Sequence, residues 1–224
     1  MPSNIRIAIS ILLILLATAW FARQSQGIDF EQLEQIAAKR YGNESMLAVR
    51  SWRIALEGAG DKETEQLKAV NAFFNQQILF EDDKLIWGQS DYWATPLEIL
   101  WKGSADCEDF AIAKYVSLKA LGISPSKLRL TYVKARIGGP SSDLFQAHMV
   151  LAYYATPDIE PLILDNLITD IRPASRRLDL IPIFSFNSEG LWVAGAGSTP
   201  QASGTSRLSR WKDVIERMKM DGYQ

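Results

Sequence analysis

Gly103-Ser104-Ala105-Asp106-Cys107-Glu108-Asp109-Phe110-Ala111-Ile112-Ala113-Lys114-Tyr115 carries the chain's single cysteine at the head of an apolar, helix-forming run. A helix is expected to begin between Ser104 and Cys107 and to continue to Leu121, with Gly122 ending it. Cys107 then stands at a helix N-terminus, where backbone N–H groups and the macrodipole favour an anion and make thiolate available. A nucleophilic thiol also needs a base within hydrogen-bond reach and a third group to orient that base. The only histidine, His148, opens the strand-like run 149–154 (MVLAYY), and Asp165 ends the next one, Leu162-Ile163-Leu164-Asp165-Asn166. If a turn over 155–161 makes those strands neighbours, Asp165 comes beside His148. The candidate catalytic set is Cys107, His148 and Asp165.

Taken singly, each of these residues has a plainer role. A cysteine in a helix is most often a small buried hydrophobe, a lone histidine a surface or satisfied core residue, and an Asp-Asn pair after a strand a turn. On the residues alone both readings stand. The acidic neighbours Asp106, Glu108 and Asp109 are the odd feature, because nearby negative charge raises a thiol's pKa. They could simply complement the helix N-terminus, yet crowded at one turn they repel each other and the thiolate. A bound hard cation would remove that conflict. Calcium takes about six to eight oxygen ligands in tolerant geometry, and carboxylates at i and i+3 share a helix face. There is no EF-hand pattern, and one histidine with one cysteine is thin for zinc. The residues thus suggest a calcium ion beside Cys107 that neutralises this cluster and fixes the nucleophile's helix.

Outward from this block the chain divides by period. Before it lie helices: Asp29 and Gln32 form a box-like start to a stripe of Phe30, Leu33, Ile36, Ala37 and Tyr41 closed by Gly42. A second helix is expected over about 61–78, and Thr95-Pro96-Leu97-Glu98 is a capping box opening a short helix that stops near Gly103. After the block, LRLTYVKARI alternates as a half-buried strand, with the runs 149–154, 162–164 and 191–194 as further strands. The stretch 195–206 (GAGSTPQASGTS) has loop composition. A last amphipathic helix presents Leu208, Trp211, Ile215 and Met218 inward. Helices first and antiparallel strands after indicate an α+β fold with N-terminal helices packed on an antiparallel sheet.

Composition narrows the function classes. At 224 residues the chain has room for one domain with one sizeable core. With 24 basic and 26 acidic side chains it lacks the basic footprint of a nucleic-acid binder. Residues 1–26 pair a short head containing Arg6 with the apolar run 7–22 (IAISILLILLATAWFA) and an Ala17-Thr18-Ala19 cleavage pattern. This is expected to be an export signal or an N-terminal membrane anchor, leaving 27–224 as the folded domain. A lone thiol in an exported protein is either buried and inert or kept for its reactivity. Trp87 and Trp93 are candidates for a partner surface, but tryptophan is more often core or cleft wall.

Asp91-Tyr92-Trp93-Ala94-Thr95-Pro96-Leu97-Glu98, the cysteine block, Leu130-Thr131-Tyr132-Val133-Lys134-Ala135, Ala147-His148-Met149-Val150-Leu151 and Leu164-Asp165-Asn166-Leu167 together resemble the bacterial transglutaminase-like cysteine proteinases, nearest to their periplasmic adhesin-cleaving branch. The resemblance runs from about Phe30 to Val193. It implies a papain-like, transglutaminase-like core, a triad mapping onto Cys107, His148 and Asp165, and calcium dependence through Asp106, Glu108 and Asp109. It further implies a large surface adhesin as substrate, cut near its N-terminus beside a pair of alanines to release cells from a biofilm. An inner-membrane receptor for cyclic di-GMP is implied as the inhibitory partner, holding the protease in the periplasm. Two rival functions remain on the residues: a transglutaminase-like acyltransferase with the same triad, and a non-catalytic calcium-binding adaptor. Glu108 stands where a tryptophan directly after the cysteine would have favoured the animal transglutaminases.

Overall fold

The structure is a computed structural model and describes residues 27–193 and 209–223. The expected export segment, the loop over 195–206 and Leu208 lie outside the described residues. Among the described residues no helix is long and apolar enough to cross a membrane.

Helix α1 (Phe30–Tyr41) starts as its sequence implies, the Asp29 side chain accepting from the Gln32 backbone N–H at 3.0 Å. Helix α2 (Asn43–Glu57) follows at once and had not been anticipated. Gly42, which was expected only to end α1, is the hinge between the two, and its φ of 91° lets the chain reverse there. Helix α3 (Glu63–Gln77) matches the expected second helix, and the short strand β1 (Leu79–Phe80) and helix α4 (Asp83–Trp87) come after it. Helix α5 (Pro96–Lys102) carries the expected capping box in full, with reciprocal bonds between Thr95 and Glu98. It ends at Gly103 in the left-handed conformation, φ 67°.

Ser104–Ala105 is not the first turn of a helix but a short strand, β2, paired parallel with β1 through Leu79↔Ser104 and Phe80↔Ala105. Helix α6 (Cys107–Ala120) therefore opens on the cysteine itself. It is buried on nearly every side, as expected of a helix with apolar residues all round. Both α3 and the sheet, through its strands over 128–136 and 145–153, pack on α6. The buried Trp52 Nε1 of α2 donates to Ser117 Oγ at 2.9 Å, tying the N-terminal helices to it.

The six-stranded sheet has the order β6-β5-β4-β3-β7-β8 and is antiparallel throughout: β3 (Leu128–Arg136), β4 (Phe145–Tyr153), β5 (Leu162–Leu164), β6 (Arg172–Pro173), β7 (Leu180–Phe186) and β8 (Leu191–Val193). Strand β3 lies in the interior of the sheet and buries residues on both faces, so the expected half-buried strand is corrected. One face joins the main core. The other forms a small second core of Val133, Val150, Ala152 and Ile163 against Tyr154, Ala174 and Leu180. Strand β7 went unanticipated because Leu180-Ile181-Pro182-Ile183-Phe184 shows no clean alternation and contains a proline. The β3–β7 register shifts between Tyr132 and Val133, next to where Val133 meets Pro182. Helix α7 (Ser209–Met220) buries Trp211, Val214 and Met218.

Candidate active site

The β2 pairing delivers Asp106 and Cys107 to the start of α6 from a fixed direction. Asp106 is the N-cap residue and has the extended backbone of one, but its side chain makes no capping bond. The Cys107 thiol is partly exposed and donates to Glu108 Oε2 at 3.1 Å. Burial pushes its pKa far up, and the Glu108 and Asp106 carboxylates add to the shift. The Met149 backbone N–H, one residue beyond His148, lies where it favours the thiolate. This places the start of α6 against strand β4.

His148 lies inside β4, which begins at Phe145, rather than at its head. The ring is buried at 3% exposure, and Nε2 meets Asp165 Oδ1 at 2.8 Å. The sheet register explains the meeting. Leu151 pairs with Leu164, so Asp165, the first residue past the end of β5, comes alongside the β4 segment that carries His148. With Nε2 engaged by Asp165, Nδ1 is the ring nitrogen left for a thiol.

Asp165 is held from several elements at once. Its carboxylate accepts from the Leu167 backbone N–H at 3.1 Å and from Arg177 Nη2 at 2.7 Å. Its backbone carbonyl accepts from Asn75 Nδ2 of α3 at 2.8 Å and from Lys114 Nζ of α6 at 3.1 Å. Burial opposes the charge, but the His148, Leu167 and Arg177 bonds outweigh it and hold the carboxyl at about 2. Burial drives Lys114 the other way, down to about 7, against the attraction of Asp165.

The acidic cluster is real and larger than its sequence neighbours. Carboxylate oxygens of Asp83, Asp106 and Asp109 lie within 4.8 Å of one another, and a second such group joins Asp106, Cys107 and Glu108. Asp83, Glu108 and Asp109 are buried. Asp83 accepts from the Tyr92 backbone N–H, and Asp109 Oδ1 from that of Ala94 at 2.6 Å, so the segment over 91–95 folds across the cluster. Asp83 Oδ1, Asp106 Oδ1 and Asp109 Oδ2 are buried with no hydrogen-bond partner. Burial first, and then mutual repulsion, raises all of these acids. Asp83 stands at about 6, Asp106 at about 10, and Asp109 well above its usual range. Buried carboxylate oxygens left without partners are the donor set a hard cation satisfies, so the residues fit calcium.

Three participants were not expected from the sequence. Asp83 lies 24 positions before Cys107 and follows Asp82, which caps α4. Nothing in linear spacing connects it to the cysteine block. Lys114 sits inside the quoted block, but a lysine on a buried helix gives no sequence sign of its partner. Arg177 follows the short 3-10 helix Ala174–Arg176, with no motif around it.

A sequence-family model described as bacterial transglutaminase-like cysteine proteinase matches residues 41–194. Among solved structures, EGTA-treated LapG of Legionella pneumophila is 40% identical, with 85% of this chain and 98% of that chain covered at a TM-score of 0.73. Calcium-bound LapG of the same organism is 39% identical, with 85% and 99% covered at a TM-score of 0.71. A comparison with curated proteins finds no match.

Proposed function

Because the chain belongs to the bacterial transglutaminase-like cysteine proteinases, we propose that it is a calcium-dependent endopeptidase working through Cys107, His148 and Asp165. The observation that carries this reading is the buried His148–Asp165 pair, on strand β4 and just past the end of β5, set beside a thiol at the first position of α6. A triad needs a nucleophile, a base and a group that fixes the base; here the first comes from a helix, the second from a strand, and the third from the end of the neighbouring strand.

His148 takes the thiol proton through its free ring nitrogen, and the thiolate attacks the scissile carbonyl carbon. Asp165, an anion in the folded state, orients the ring and stabilises the imidazolium that forms. The imidazolium then gives its proton to the leaving amine as the C–N bond breaks, which leaves a thioester on Cys107. His148 next takes a proton from water, whose oxygen displaces the sulfur and frees the acid product. The Cys107 backbone N–H, in the first turn of α6, is a donor suited to the developing oxyanion. Asp83, Asp106, Glu108 and Asp109 would hold the calcium ion. Bound there, it supplies the positive charge that these carboxylates lack beside the thiolate.

The family resemblance extends the proposal to biology. The substrate is the N-terminal region of a large cell-surface adhesin, cut beside a pair of alanines, and the protease acts in the periplasm. An inner-membrane cyclic di-GMP receptor restrains it. Incubating the full chain with an adhesin fragment that contains a di-alanine site tests the core of this. Cleavage is expected with calcium, and none with chelator or with Cys107→Ala. Incorporation of an added amine into the fragment instead of hydrolysis would turn the reading to acyl transfer.

A further inference from the structure

Arg177 has no part in the chemistry above, yet its guanidinium is buried at 3% exposure against the candidate triad. It follows the 3-10 helix Ala174–Arg176 in the connection to β7. Arg177 Nε donates to Asp179 Oδ1 at 3.0 Å, and Nη2 donates to Asp179 Oδ2 and to Asp165 Oδ2, each at 2.7 Å. Asp179 thus anchors the planar fork, and the fork reaches one oxygen of Asp165. The other oxygen of Asp165 is left to His148 Nε2 and the Leu167 N–H. A carboxylate bonded through a single oxygen can turn about its Cβ–Cγ bond, a broad torsion. Bonds to different donors at both oxygens stop that rotation. The charged and titratable groups facing this point are His148 from β4, Lys114 from α6, whose Nζ bonds the Asp165 carbonyl, Arg177 itself, and Asp179 behind it.

We propose that Arg177 is a positioning residue of the proteolytic site. It clamps Asp165 as an anion with Oδ1 turned to His148 Nε2, and thereby sets which imidazole nitrogen faces Cys107. This rests on the reading of Cys107, His148 and Asp165 as the triad. Arg177 acts only through Asp165, so its loss lowers turnover and leaves substrate affinity unchanged. Lysine keeps the charge without the fork and restores only part of the function.

The chain contains one histidine, so His148 can be read without interference from other imidazoles. In the untagged, calcium-loaded full chain, NMR is expected to show one slowly exchanging downfield imidazole N–H, from Nε2 bonded to Asp165. Arg177→Gln should lose or broaden that signal and lower kcat on the adhesin fragment roughly tenfold or more at unchanged KM, the scale of a charged hydrogen bond. Arg177→Lys should retain the signal and part of the rate. In an Asp165→Asn background, Arg177→Gln should add no further loss. A wild-type kcat and imidazole signal in Arg177→Gln would overturn the proposal, as would a loss that adds in full to that of Asp165→Asn. Should Arg177→Gln fail to fold, Asp179→Asn decides, because it loosens the fork at a partly exposed position without touching Asp165. A lowered kcat at unchanged KM then sustains the proposal, and wild-type behaviour defeats it. If the wild type cuts nothing, the protease reading fails, while the imidazole signal still reports whether Arg177 orients the pair.

Discussion

At the scale of single residues, the chemistry turns on groups whose ionisation is set by what surrounds them. Asp165 is the depressed case. Its folded pKa lies below the unfolded value, so its stabilising contribution is present above the ordinary carboxylate range and is lost as pH falls through about 2. The stability difference between wild type and Asp165→Asn in urea titrations is therefore expected to stay level from about pH 7 down to about pH 5, then shrink in stronger acid. A difference that shrinks already at neutral pH would mean the carboxylate is not held by its partners. Asp83 is the opposite case, a buried acid raised to about 6 with one oxygen unpartnered. Asp83→Asn keeps the shape of the side chain and its acceptor for the Tyr92 N–H while removing one ligand charge. Calorimetric titration should show calcium affinity weakened roughly tenfold or more, since ligand charge count tunes such sites over decades. Cys107, Asp106, Glu108 and Asp109 could be picked out in the sequence because they are contiguous. Asp83, Lys114 and Arg177 could not: Asp83 meets Asp106 and Asp109, 23 and 26 positions on, while Asp165 is 51 positions from Lys114 and 12 from Arg177.

At the scale of elements, local signals were readable wherever the backbone itself imposes the residue. Thr95 and Glu98 form the capping box that the sequence spells, and Thr95 Oγ1 also donates to the buried Asp221 Oδ2 at 3.1 Å. Thr95→Ala is expected to cost about 1–2 kcal/mol in chemical denaturation, the upper part of the range for a cap, because Asp221 loses a partner as well. A cost near zero would show that water replaces both bonds. Gly103 closes the same helix at φ 67°, with open space where a Cβ would stand. Gly103→Ala should therefore cost about 1 kcal/mol for its left-handed backbone alone, without displacing a neighbour. Period-based reading failed where tertiary pairing overrides propensity. Ser104–Ala105 joins β1 instead of the following helix, and Leu180–Phe186 is a strand despite Pro182. Both segments are completed by a partner distant in sequence.

At the scale of the whole molecule, the acidic cluster is a cost that the fold carries on behalf of its site. Buried carboxylates with unpartnered oxygens destabilise the native state, and an ion that binds them only in the folded chain stabilises it by mass action. Thermal unfolding of the full chain is expected to shift upward by several degrees when calcium is raised well above its dissociation constant, and EGTA should reverse the shift. An unchanged midpoint would remove calcium from the proposed site. The α+β class, with helices leading and antiparallel strands following, and the meeting of His148 with Asp165 could be derived from the sequence, because period, caps and residue chemistry are local properties. Only the tertiary structure brings Asp83 to the carboxylates around Cys107, lays β7 beside β3, and closes Arg177 and Lys114 around Asp165. Those contacts are long-range, and a buried charge finds its partner only when packing excludes the water that would otherwise solvate it.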